Sequence, residues 1–329
     1  MAAIDRILIP TDFSPESTQA FEFAEKIYLT GDIRIDLIHL IPSVIFTDES
    51  MREKVNMPNM NEEVYPHLFN EAELRLKKLM KERVPYENRG EIYVKIDRKP
   101  AEVIVTHANE GNYSMVLMSA VGKDSSGMFR GSTAEFVVRK CRVPVMTLVQ
   151  DVGASEISQI LIPVDGSMLS MAALPTALKL AHAFGAKITM FYVNEVYGLI
   201  SNHFSSRTER DKKEEIIDHI YHRMQEYLNE TSSQSFKITH KPPSSFKLVS
   251  ENGAPNQTYE VRVKIVTGFS AHHEITEYAN KSADLVVMTT HGRSGLAHIL
   301  MGSNAEKVAL NVSKPILTIR PESKLFNYT

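Results

Sequence analysis

The sequence predicts an α/β protein built as two tandem copies of one parallel-sheet domain. Three observations carry that prediction: an internal repeat spanning most of the 329 residues, short apolar strands alternating with amphipathic helices, and a glycine loop in each copy after the fourth strand. The repeat is ordered. Arg6-Ile-Leu-Ile-Pro10-Thr-Asp12-Phe-Ser14 returns as Gln159-Ile-Leu-Ile-Pro163-Val-Asp165-Gly-Ser167, at an offset of 153. Tyr113-Ser-Met-Val-Leu-Met118 returns as Ala283-Asp-Leu-Val-Val-Met288, at 170, and Gly131-Ser132-x-x-Glu135 as Gly302-Ser303-x-x-Glu306, at 171. Val143-Pro144-Val-Met-Thr-Leu148 matches Lys314-Pro315-Ile-Leu-Thr-Ile319. Domains are therefore expected at 1–150 and 157–322, with 323–329 as a tail.

Within the first copy, Ile7–Ile9 reads as strand one. A helix follows from about Ser14, with Pro15 at its favoured first position and Ala20, Phe21, Ala24 and Ile27 on its apolar face. Ile35–Ile41 is strand two. After an excursion through Pro42–Pro66 comes a helix whose apolar residues are Leu74, Leu76, Leu79 and Met80. Ile92–Ile96 is strand three, Ala101–Ala108 a helix, Met115–Met118 strand four, and Ser132 opens the last helix before strand five at Pro144. Such strands, apolar throughout and separated by helices, imply a parallel sheet covered on both faces. The second copy differs by about 24 extra residues between the helix ending near Asn229 and the strand at Val261, expected to form a surface loop or hairpin.

Composition bounds the function. An apolar fraction of 43%, 23% charged residues and a net charge of -3 describe an ordinary soluble protein, with no bulk attraction for nucleic acid or an anionic membrane. Cys141 is the lone cysteine, which excludes an internal disulfide and a cysteine-based zinc cluster. No apolar run reaches membrane-span length and the N-terminus does not read as a signal peptide, so a cytoplasmic location is expected. Motifs for a P-loop, a nucleophile elbow and a His-Glu-x-x-His zinc helix are missing from the sequence.

The stretch from Asp284 to Leu310 concentrates the chemistry. An apolar strand opens into a loop with Gly292, Gly295 and Gly302 and closes on Ser303-x-x-Glu306, which reads as a capping box. A glycine loop leading to a helix N-terminus is an anion site, because unpaired N–H groups and the helix dipole face the ligand. In an open parallel sheet, ligands bind beyond the carboxyl ends of the strands where the strand order reverses, so Pro163-Val164-Asp165 is expected to face the same crevice. Asp165 also reads as a helix N-cap, Val193 as core, Ser303 as a plain cap, Arg293 as a solvated loop cation and His291 as loop structure.

These motifs resemble the universal stress protein family in its tandem form, over almost the whole chain. Nucleotide-binding members carry Gly-x2-Gly-x9-Gly-[Ser/Thr]. Gly292-x9-Gly302-Ser303 matches the later positions, and the first glycine falls on Thr289, which adds a side chain. The resemblance implies five-stranded sheets of order 3-2-1-4-5, an adenine nucleotide α-hydrolase-like fold, and ATP as ligand, with or without Mg2+ held by the phosphates. It implies Asp165 at the ribose or adenine edge, Val193 and Met288 around the base and sugar, and Gly292, Gly302, Ser303 and Asn304 at the phosphates. The first-copy equivalents are Asp12, Leu40, Gly122, Gly131 and Ser132. There, Gly122 to Gly131 encloses eight residues instead of nine, and Asp124 brings a negative charge that Lys123 and Arg130 offset. The resemblance also implies an internal pseudo-dimer of the two halves, with further homodimerisation of whole chains. A regulatory, stress-response binding module is the expected role; a nucleotide-free interaction scaffold and a slow ATP hydrolase are the rival readings.

Overall fold

β-Branched and aliphatic runs that alternate with amphipathic segments build the expected parallel sheets. The computed structural model describes residues 4–28, 33–43, 64–120, 131–149, 156–196, 208–231, 235–251, 257–291 and 301–321. It divides into two units, Ile4–Gln150 and Asp151–Thr329.

In the first unit the described elements are β1 (Arg6–Pro10), α1 (Pro15–Tyr28), β2 (Arg34–Pro42), α2 (Tyr65–Arg83), β3 (Arg89–Asp97), α3 (Pro100–Glu110), β4 (Met115–Ser119), α4 (Ser132–Lys140) and β5 (Val145–Leu148). The strands lie in the order β3-β2-β1-β4-β5, all parallel. Ile7, Leu8 and Ile9 are completely buried, as a strand covered on both faces requires. Helix α1 buries Ala20, Phe21, Ala24 and Ile27, and Phe23 with them. On α2 the buried stripe is Tyr65, Ala72, Leu76 and Met80. Leu74 is 67% exposed, which corrects its assignment to the apolar face: the stripe runs at four-residue steps through 72, 76 and 80, and position 74 points away from it.

A polar network lies at the amino ends of β1 to β4. Asp36, fully buried on β2, accepts hydrogen bonds from Arg6 Nε (3.0 Å), Arg6 Nη2 (2.5 Å), the Tyr113 hydroxyl (2.8 Å) and the Glu91 amide (2.9 Å). Burial, with the Asp36 carboxylate beside it, drives the Tyr113 phenol far above its ordinary pKa. Gly90 makes room for this carboxylate, since a Cβ there would lie 1.9 Å from Asp36 Oδ1.

The second unit contains β6 (Gln159–Val164), α5 (Met168–Met171), α6 (Leu174–Phe184), β7 (Lys187–Glu195), α7 (Glu209–Thr231), β8 (Phe236–Lys241), β9 (Ser245–Ser250), β10 (Thr258–Gly268), α8 (Ala271–Ser282), β11 (Leu285–Thr289), α9 (Ser303–Asn311) and β12 (Ile316–Ile319). Its five parallel strands run β10-β7-β6-β11-β12, which is the order 3-2-1-4-5 again. The register repeats as well: Arg6 pairs with Arg34 in one unit and Gln159 with Lys187 in the other. The extra residues form the hairpin β8–β9, which joins β10 antiparallel and extends this sheet to seven strands. Among the described residues no helix is long and apolar enough to cross a membrane.

Candidate functional site

Strand β6 ends in a turn whose geometry its sequence dictates. Gly166 adopts φ 82°, a left-handed conformation in which a side chain would be strained. Asp165 Oδ1 accepts from the Ser167 amide (3.0 Å) and hydroxyl (2.6 Å), fixing the half-buried carboxylate at the sheet edge. Ser167, not Asp165, is the helix cap: its hydroxyl oxygen accepts the Ser170 N–H at 3.2 Å. The first unit repeats the turn. Ser14 donates to Asp12 Oδ1 through its amide (3.0 Å) and hydroxyl (2.5 Å), and Phe13 takes φ 62° where the second unit has glycine. The Phe13 ring packs on His39 at 4.3 Å, with the Arg75 guanidinium 4.2 Å above it.

Strand β11 leads into Thr289-Thr290-His291. The Thr289 hydroxyl donates to the His291 carbonyl (2.7 Å), and His291 Nδ1 lies 2.8 Å from the Thr290 hydroxyl. The side chain that replaces the family's first glycine is thus buried and turned onto the loop's own backbone. The loop closes where the Gly302 amide donates to the Thr290 carbonyl at 2.8 Å. In the first unit Gly131 donates to Ala120 in the same way, also at 2.8 Å.

The capping-box expectation is corrected here. Gly302 is the N-cap of α9, with φ -61° and ψ 142° and no side-chain cap, and its carbonyl accepts the Glu306 amide at 2.9 Å. Ser303 is the first helical residue and not the N-cap, the Glu306 amide that its hydroxyl would have capped is bonded to the Gly302 carbonyl instead, and Ser303 stays exposed beside Asn304. The first N–H groups of α9 have no helical acceptor. They open into a cleft.

The cleft has a volume of about 400 Å³, in the range of small-ligand sites. It lies at the carboxyl ends of β6 and β11, between which the strand order reverses. One wall is Pro163, Val164 and Asp165; another is Val193 with Asn194 and Glu195; Met288 and Thr289 lie at the base; Gly302, Ser303 and Asn304 close it. Gly292 and Arg293 fall outside the described residues, as does Gly122 of the first copy. Of the other first-copy positions, Asp12 holds the turn described above, Leu40 is half-buried near the end of β2, Gly131 caps α4 and Ser132 opens it.

Several lining residues escaped the sequence reading. Tyr192, Asn194 and Glu195 flank Val193 at the carboxyl end of β7, and the end-of-strand rule that selected Val193 could have found them. His291 lines the cleft while 7% exposed, although the sequence suggested only loop structure. Ala271 and Ile275 come from α8, where nothing local in the sequence marks them. Glu195 has a second duty, since its Oε1 accepts the Ala271 amide (2.7 Å) at the start of α8.

Open parallel sheets of order 3-2-1-4-5 with a cleft at the reversal point define an adenine nucleotide α-hydrolase-like α/β protein. The sequence matches the universal stress protein family twice, over residues 3–148 and 156–320, and the chain belongs to that family. A universal stress protein of Methanocaldococcus jannaschii is 28% identical over 190 residues, covering 57% of this chain and 97% of that protein. One from Bacillus subtilis is 24% identical over 163 residues, covering 50% of this chain and 99% of its own length. The crystal structure of a universal stress protein from Archaeoglobus fulgidus superposes over 97% of both chains, with a TM-score of 0.62 and 19% identity, a likeness of fold.

Proposed function

We propose that the second unit binds an adenine nucleotide, with ATP as the natural occupant, and that the protein acts as a regulatory stress-response module. The observation that carries this reading is the start of α9. A side-chain-free N-cap, Gly302, presents the amides of Ser303 and Asn304 to a cleft of about 400 Å³ at the sheet's reversal point. Amides so placed, with the helix dipole behind them, recognise phosphate oxygens. The Ser303 hydroxyl, exposed at the same edge, adds a further donor.

The remaining walls suit the rest of the nucleotide. The carboxylate of Asp165, held by Ser167, accepts from ribose hydroxyls. The backbone of Val193 and Asn194 at the end of β7 provides hydrogen-bonding groups for the purine edge, and Met288 and Ile275 give it apolar cover. The second unit retains Gly302-Ser303 with the family's nine-residue spacing from Gly292, which supports phosphate binding there over the first unit with its shorter loop. Among the described residues no cluster of three or more His, Cys, Asp or Glu is placed to hold a metal, so Mg2+ would accompany the triphosphate. Isothermal titration of the full chain with ATP, ADP and AMP tests the reading. Saturable one-site binding of ATP is expected; no heat with any of the three at millimolar concentration rejects it in favour of a nucleotide-free scaffold.

A further inference from the structure

The hairpin that extends the second unit's sheet has two unlike faces. On one, Phe246, Leu248, Tyr259 and Val261 are buried, and Phe246 stacks on Tyr221 of α7 at 5.5 Å. The other face follows from the register. Lys237 stands beside Val249 and Thr258; Thr239 beside Lys247 and Glu260; Lys241 beside Ser245 and Arg262. None of these nine residues is buried, so among the described residues no helix covers this face. Lys237, Lys241, Lys247 and Arg262 share it with one acid, Glu260, and none of the four forms an ion pair among the described residues. A protein of net charge -3 thus carries a local basic face on the segment that distinguishes its second copy.

The same segment ends in an edge. Strand β8 pairs only with β9 among the described residues. The Glu251 amide donates to the Ser235 carbonyl, which sets the antiparallel alternation: residues 237, 239 and 241 bond to β9. Phe236, Ile238 and His240 then direct their N–H and C=O groups outward. Lysines on an edge strand are a common guard against unwanted pairing. That role does not explain Lys247 on the inner strand β9 or Arg262 on β10, which guard no edge.

We propose that β8 is a docking edge for an acidic peptide in extended conformation, which adds as a further strand of the second unit's sheet. Main-chain bonds to Phe236, Ile238 and His240 hold it. Side chains of an added strand alternate between the faces, so its acidic residues occupy every second position and meet Lys237 and Lys241, with Lys247 and Arg262 adding longer-range attraction. Its intervening residues are apolar and lie against the half-buried Phe236 and Ile238. The ligand is therefore an alternating acidic and apolar segment, recognised at a surface separate from the nucleotide cleft.

The test uses the full chain and a fluorescein-labelled Glu-Val-Glu-Val-Glu-Val-Glu peptide in fluorescence anisotropy. Binding is expected to weaken about tenfold in the Lys237→Glu/Lys241→Glu variant, because two cross-strand attractions become repulsions. Both positions are exposed, and an unchanged far-ultraviolet spectrum confirms that the variant folds. N-methylation of the peptide at alternate amides gives a second readout that needs no protein variant. Methyl groups on the parity facing β8 are expected to abolish binding, and those on the other parity to leave it within about twofold. The proposal is overturned if the peptide does not bind at millimolar concentration, if a block isomer with all Glu before all Val binds equally, or if both methylation parities act alike. Preferential binding of a single-stranded oligonucleotide or of phosphatidylserine vesicles, with the alternating peptide excluded, also overturns it.

Discussion

Replacing Gly302 with valine separates the proposed binding role of α9 from its structural role. Gly302 lies at φ -61° and ψ 142°, a conformation open to any L-residue, so backbone freedom is not what the position demands. Among the described residues, a Cβ there meets only the Thr290 carbonyl oxygen, at 3.4 Å, an ordinary contact. The fold should therefore lose about 1 kcal/mol or less, mainly because valine is a poorer N-cap than glycine. Binding is a different matter. The added branches project from the residue that precedes the Ser303 and Asn304 amides, where the proposed binding mode brings the phosphate oxygens. Hydrogen bonds to a charged group contribute about 1.5–3 kcal/mol each, so losing two weakens binding by roughly two to four powers of ten. Thermal unfolding and calorimetric titration with ATP, run on the same Gly302→Val preparation, read both numbers. A folded variant that binds ATP within threefold of the parent protein would show that the phosphates are not held at α9.

Other consequences concern the scaffold. Asp36→Ala strips a buried acceptor from Arg6, Tyr113 and the Glu91 amide and should cost about 3–5 kcal/mol, read by urea unfolding with hydrogen exchange assigning the loss to the first unit. A loss below about 1 kcal/mol would mean that the network adds nothing net. Gly90→Ala should destabilise the same unit by about 1–3 kcal/mol, since its Cβ would collide with Asp36 Oδ1 and approach the Ile35 carbonyl at 2.8 Å; an unchanged melting temperature contradicts this. Ser167→Ala removes the cap of α5 and one anchor of Asp165, and should lower stability by about 1 kcal/mol in the same assay. His107 and His39 both have pKa values below the ordinary histidine range, through burial first and nearby Lys95 or Arg75 charge later. The folded state then holds fewer protons than the unfolded state. The stabilisation is complete above the unfolded value of about 6.5 and declines as pH falls below it through the depressed folded values, and His107→Gln should flatten that decline. An identical pH slope in parent and variant would remove His107 from the account.

The repeat made the alternation of strands and helices legible because it depends on patterns that extend over a whole element, whereas the strand order came from the resemblance to the universal stress protein family. Ile7–Ile9 and Leu285–Val287 are apolar throughout and buried throughout. The end-of-strand rule likewise brought Asp165, Val193, Met288 and Thr289 to one cleft with Gly302 and Ser303. What the sequence hid was decided by one-residue geometry or by partners far along the chain. Ser303-x-x-Glu306 has the letters of a capping box, yet the N-cap falls one residue earlier, at Gly302, whose carbonyl takes the Glu306 amide. Phe13 occupies a left-handed turn that its residue type disfavours, held by contacts from Arg75 and His39. Ile275 reaches the cleft from a helix that shows only ordinary amphipathicity. The extra residues could be read as a hairpin, but the docking of β9 on β10 could not, since β10 offers no local sign of a further antiparallel partner.

A crystal of the full chain soaked with ATP tests the central claim most directly. The account predicts phosphate oxygens within about 3.2 Å of the Ser303 and Asn304 amide nitrogens, the ribose at Asp165 and the purine beside Val193. An empty second-unit cleft at saturating ATP, or the triphosphate bound away from the start of α9, would contradict it.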